Sequence, residues 1–256
     1  MKRTGYVILG LVVLTAALSA VWTPYDPLQA DPAARLEGAS WRHWMGTDEL
    51  GRDELSRVMA GARMTVLVVL GAVGLSALVG VPLGIWAGMR RGAGRAITAA
   101  SDLLLAFPAL LLAIVFTAVF GASIWIVVLA IGIAGVPGFV RVARAGTMQV
   151  MQQDYILAAR VAKVPGPVIA RRHVLPNIWP IVLTQVSVAV ALAILAEAGL
   201  SFLGLGAPAP YASWGRMLQA SQPYLATTPH LALWPGAAIA LTVLGFNLLG
   251  HADDRR

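Results

Sequence analysis

Few side chains in this 256-residue chain could do covalent or metal chemistry, and their spacing argues against both. The four histidines, His43, His173, His230 and His251, include no pair at the i, i+4 spacing that sets two imidazoles around a metal on one helix face. The segment Gly199-Leu-Ser201-Phe-Leu-Gly204 lacks the G-x-S-x-G spacing of a nucleophile elbow. Lys2 and Lys163 are the only lysines, and neither follows the glycine pattern of a phosphate-binding loop. If ATP drives this protein, another subunit must hydrolyse it. With no cysteine there is no thiolate metal site. The expectation is a chain without catalytic residues, metal or cofactor.

Two carboxylates stand out instead. Asp102 and Glu197 lie within or near the ends of apolar segments, where a charge at the helix centre costs roughly 2.5–3.5 kcal/mol. Such groups must face protein or water. Either they line a translocation path or they link helices, and Asp102 has Arg95 two turns away as a pairing partner.

The elements that must position these residues are membrane helices. The chain is 58% hydrophobic and 12% charged, against roughly 45–50% and about 25% in ordinary soluble domains. Apolar runs long enough to span occur at 6–22, 65–88, 96–120, 124–140, 178–203 and 231–249, which predicts an all-α membrane bundle of about six helices. No alternating pattern of barrel strands is present. The basic start and small residues of the first run resemble a secretory signal peptide. Thr23, Pro24, Tyr25 and Pro27 form an interfacial stop after it, so an uncleaved first helix is expected.

Net charge is +7, but the arginines sit at the ends of apolar runs rather than in one stripe, so they set topology and do not indicate nucleic acid. Most of the 19 basic residues fall at the N-terminus, at 90–95, in 141–177 and at Arg255 and Arg256, which places both termini in the cytoplasm. Within the second run, Gly80, Gly84 and Gly88 recur every four residues and leave one face open to a neighbouring backbone. Pro82, Pro108 and Pro137 predict local kinks.

Residues 141–177 form a basic cytoplasmic loop too long for a tight hairpin between helices. Residues 147–162 contain neither glycine nor proline and read as one helix; Pro165, Gly166 and Pro167 then force a turn. A second short helix follows, closed by Pro176. This shape suits docking into a partner's groove, with Ala158 and Ala159 permitting close approach and Tyr155 and Ile156 supplying apolar area. Resting on lipid headgroups is the alternative.

Five motifs in order carry a family resemblance. The strongest is Asp154-Tyr-Ile-Leu-Ala158-Ala159-Arg160 continuing to Arg172-His173-Val-Leu-Pro176-Asn177. The others are Gly46-Thr-Asp48-Glu-Leu-Gly51-Arg52-Asp53 with Ser56-Arg57, Asp102-Leu-Leu-Leu-Ala-Phe107-Pro108, Glu197-Ala-Gly-Leu-Ser201-Phe202-Leu-Gly204, and Ser213-Trp214-Gly215. Over nearly its whole length the sequence resembles the C-type permease subunits of the dipeptide, oligopeptide and nickel class of bacterial binding-protein-dependent ABC importers.

The resemblance implies a type I importer permease in the inner membrane. Residues 1–57 would form the first helix and a periplasmic segment, and 58–256 the permease core. Its partners would be a homologous permease, two ATP-binding subunits, a periplasmic or extracellular substrate-binding protein and membrane lipid. Peptides or nickel and metal chelates would be carried; an ATP-independent transporter or channel is the competing class. Residues 154–163 would be the coupling helix, comprising Asp154, Tyr155, Ile156, Leu157, Ala158, Ala159, Arg160 and Lys163, flanked by Arg171, Arg172 and His173 in contact with the ATPase, with solvent or with lipid. Glu197, Ser201 and Trp214 are candidates for a path or gate. The turn at 46–53 is either a cap before the second span or a contact for a partner. Two positions depart from the family pattern: Leu157 stands where glutamate is usual, and Lys163 where glycine is usual.

Overall fold

The computed structural model describes residues 2–208 and 210–250; His251, Arg255 and Arg256 lie outside the described residues. It is all-helical: α1 (Lys2–Leu18), α2 (Glu54–Met89), α3 (Arg91–Leu105), α4 (Ala109–Phe120), α5 (Ile124–Val150), α6 (Asp154–Val161), α7 (Gly166–Ile169), α8 (Leu175–Phe202), α9 (Trp214–Ser221) and α10 (His230–Gly250). Four described segments, α2, α5, Gly166–Phe202 and α10, are long and apolar enough to cross a membrane. The pair α3 and α4 makes a fifth if counted as one bent span, and α1 adds a shorter apolar helix, in keeping with about six.

Large apolar side chains such as Leu70, Leu78, Val119 and Trp125 point outward, as expected where lipid replaces water. Inside, α2 packs along α5 and α5 against α8, while α10 joins α1, α8 and α9. The 36-residue α2 starts at Asp53, whose carboxylate accepts the Ser56 N–H at 2.8 Å and caps the helix. It runs without interruption through residues 57 and 58.

Several sequence expectations change. The run 96–120 is not one continuous helix: its halves meet at 81° across 106–108, where Pro108 precedes α4 and cannot continue α3. The fourth run does not stop at its first arginine, because α5 continues to Val150. The helix expected over 147–162 is broken at Met151–Gln153, with Gln153 extended, and this turn lets Ile156 reach the core. Pro176 does not close a loop helix. It sits in the first turn of α8, where its missing N–H is tolerated, and a π-turn at Ala170–Val174 joins α7 to α8 without a break.

Candidate functional site

The short helix α6 is held by one side and bare on the other. Ile156 is fully buried, so it anchors the helix and offers no area to a partner, contrary to the sequence expectation. Asp154, Leu157, Ala158 and Val161 follow i, i+3, i+4, i+7 spacing and are all exposed, with Leu157 at 52% and Val161 at 83%. Tyr155 is exposed beside them, whereas Ala159 is half-buried. Asp154 in the first turn and Arg160 in the last complement the helix dipole.

The end of α6 explains the position of Lys163. Val164 N–H donates to Ala159 O at 3.0 Å and Lys163 N–H to Arg160 O at 2.9 Å, the paired bonds of a Schellman motif. That motif needs a left-handed residue after the C-cap. Lys163 fills it at φ +55°, where a glycine would carry no Cβ penalty. Val164 and Ala159 both pack against the core, supplying the hydrophobic contact that accompanies the motif.

Across the turn, the Tyr155 and His173 rings lie 6.1 Å apart, and Asn177 Nδ2 donates to His173 O at 2.6 Å. His173 thus faces α6, while Arg171 and Arg172 are exposed. Arg171 and Arg90 border an apolar cavity of about 420 Å³ between the end of α2 and α7 with the π-turn that follows it.

The glycines of α2 meet α5 closely. A Cβ at Gly80 would stand 2.6 Å from Phe139 Cβ, one at Gly84 2.6 Å from Val140 O, and one at Gly88 2.6 Å from Thr147 Cβ. Ser76 Oγ, one turn before Gly80, lies 2.6 Å from Gly132 O and adds a polar link along the same contact. Asp102 is paired with Arg141 of α5 at 3.3 Å, not with Arg95, because the α3 and α5 surfaces meet there.

Glu197, Ser201 and Trp214 come together but are shut inside the bundle, each at most 2% exposed. Ser201 Oγ donates to Glu197 Oε1 at 2.7 Å, and Thr65 Oγ1 of α2 approaches Oε2 at 3.4 Å. Trp214 Nε1 donates to Val58 O at 2.9 Å, so α8, α9 and α2 share one joint. Sequence spacing did not indicate Thr65 or Val58, which reach the joint from a helix more than 130 residues away in the case of Thr65.

At the same end, residues 46–53 fold into a capped turn. Gly51 takes φ +74° against the Asp31 carbonyl, Asp48 pairs with Arg52 at 2.7 Å and with buried Arg57 at 3.2 Å, and His43 Nδ1 lies 2.9 Å from Asp53 Oδ1. Trp41 and Trp44 remain exposed. In mid-bundle, a cavity of about 210 Å³ between α2, α5 and α8 is walled mainly by small residues and by Gln185, another side chain that the sequence did not single out.

The sequence profile for "Binding-protein-dependent transport system inner membrane component" matches residues 80–252. The chain is similar to the dipeptide transport system permease protein DppC of Alkalihalophilus pseudofirmus, 37% identical over 98% of this chain and 84% of that protein. It is also similar to the glutathione transport system permease protein GsiD of Pectobacterium atrosepticum, 39% identical over 94% and 82%. The di/tripeptide transport system permease protein DppC of Pseudomonas aeruginosa is 38% identical over 96% and 84%. With more than half of its length inside that profile and such similarity along nearly all of it, the chain belongs to the binding-protein-dependent transport system inner membrane components, as a multi-pass ABC importer permease.

Proposed function

We propose that this chain pairs with a related permease to form the path for di- and oligopeptides through an ATP-driven importer, with two ATPase subunits on the cytoplasmic side and a substrate-binding protein on the other. The observation that carries this reading is the exposed apolar stripe Leu157, Ala158, Val161 on a helix anchored by buried Ile156. A helix-in-groove contact needs such a face, and Ala158 leaves room for the partner's wall. Both termini and α6 lie in the cytoplasm in this reading, and the turn at 46–53 lies outside.

The mechanism follows from continuity. Closure of the ATPase pair on ATP displaces α6 and the adjoining α7. From Gly166 the chain runs as one helical unit to Phe202, so displacement at its start reaches Glu197 and Ser201 without an intervening loop. There the contact with Thr65 and the Trp214–Val58 bond pass it to α2. This chain supplies the path and the lever; its partners supply nucleotide chemistry and most substrate selection.

The test uses cells lacking the gene and complemented with wild type or Ala158→Trp. Wild type should restore uptake of labelled di- and oligopeptides. The variant should insert in the membrane at normal levels yet restore less than about a tenth, and should not co-purify with an ATPase subunit. Normal uptake by the variant would overturn the docking assignment. Restoration of nickel uptake with no peptide uptake would overturn the substrate.

A further inference from the structure

A cavity of about 480 Å³ opens where α2 ends, α3 begins and α5 approaches the root of α6. It is lined by Arg91, Arg95 and Arg144, with Ala87, Met148 and Met151 among its apolar residues, and no acidic residue contributes to it. Farther along the same helix pair, Asp102 neutralises Arg141. Toward this end nothing does so: among the described residues, Arg91, Arg95 and Arg144 make no ion pair or side-chain hydrogen bond. The Arg144 Nε is sealed from solvent without an acceptor. Three like charges around one cavity repel, and a buried guanidinium N–H without an acceptor is costly.

The surrounding backbone gives little freedom to relieve this by collapse. A Cβ at Gly94 would stand 2.5 Å from Ala87 O, and one at Gly88 2.6 Å from Thr147 Cβ, so both sides of the cavity are closely packed.

We infer that this cavity holds the phosphate group of an anionic phospholipid. Arginine is suited to phosphate because its planar guanidinium offers paired donors. The lipid source is indicated by position and lining. The cavity lies where the apolar run of α2 gives way to Arg90, Arg91 and Arg95, the height of lipid headgroups, and basic pockets between membrane helices at that height bind anionic headgroups. Exposed Met148 and half-buried Met151 offer apolar surface that the glycerol and upper acyl chain cover and a free phosphate leaves bare. Met151 and Gln152 belong to the turn that leads into α6, so a bound lipid braces the base of that helix. The inference requires membrane insertion and does not depend on the transported substrate.

The experiment measures lipid retained by the full chain, purified with its co-expressed subunits in neutral detergent, by native mass spectrometry. Phosphatidylglycerol and phosphatidylcholine of matched chains are added in equal amounts. Wild type should retain phosphatidylglycerol at least tenfold over phosphatidylcholine, and Arg91→Gln/Arg95→Gln should bring the ratio near one. The charge-keeping Arg91→Lys/Arg95→Lys should retain part of the preference, and Arg35→Gln at the opposite end should retain all of it. Equal elution volumes establish that the variants are assembled. A preference unchanged in Arg91→Gln/Arg95→Gln overturns the site. Displacement of the lipid by a hundredfold excess of inorganic phosphate overturns the lipid assignment in favour of a free-anion site.

Discussion

Ser201 donates its hydroxyl proton to Glu197 at 2.7 Å, one turn apart on α8 and sealed from solvent. The pair turns a carboxylate that sequence alone left unassigned into part of a joint between α8 and α2. Glu197→Ala should lower stability by about 1–3 kcal/mol, since it strips the acceptor from two buried hydroxyls. Glu197→Gln keeps an acceptor and should lose less. Thermal melting of the purified protein in detergent, followed by tryptophan fluorescence, checks the order; an alanine variant as stable as wild type would remove the joint from the account.

Lys163 should tolerate glycine better than any other replacement. The left-handed region costs a residue with a Cβ roughly 1–2 kcal/mol, partly offset by glycine's extra freedom when unfolded. Lys163→Gly should therefore raise stability by about 0.5–1 kcal/mol, and Lys163→Val should lower it because a β-branched side chain fits that region worst. Protease resistance of the 154–164 segment in the membrane-embedded protein reads both effects.

Gly84 allows no side chain without movement. A Cβ there would stand 2.6 Å from Val140 O and 2.7 Å from Ala143 Cβ, so α2 and α5 must separate. Gly84→Ala should cost about 1–3 kcal/mol and Gly84→Leu more. Gly74, with nothing within 4 Å of its Cβ position, is the control on the same helix and should accept alanine with little change. The comparison requires only melting temperatures and elution profiles.

Removing Asp48 should be more damaging than its place in a turn suggests. It holds Arg57, which is 4% exposed, and also accepts the N–H groups of Leu50 and Arg52. Asp48→Ala leaves a buried guanidinium without its ion-pair partner and should cost about 3 kcal/mol. The double variant Asp48→Ala/Arg57→Met should recover part of that loss, a pattern that a double-mutant cycle detects.

Long apolar runs made the spans legible, because hydropathy is nearly sufficient for a helix whose surroundings are lipid. Their ends were less so: α5 continues through Arg141 and Arg144, since backbone hydrogen bonding does not stop where hydropathy does. The short helix α6, proposed above to dock, carries the strongest of the sequence motifs, but its anchored side was not legible. Ile156 and Leu157 are both large and apolar, and only the turn at Met151–Gln153 decides which faces the core. That turn contains neither glycine nor proline and left no local signal. Pro108 was visible as a kink but not as an 81° change of direction, which depends on where α4 packs. Asp102 chose Arg141 over the nearer-in-sequence Arg95 for the same reason: its partner was fixed by packing between helices.

The bare face of α6 also bears on the life of the chain before assembly. Leu157 and Val161 stand exposed on a helix whose other side is already anchored. In the assembly proposed above, a copy made in excess of its partners carries a small adhesive patch, the kind of surface that chaperones hold and proteases survey. Clearance of the unaccompanied chain would then balance subunit numbers in that assembly.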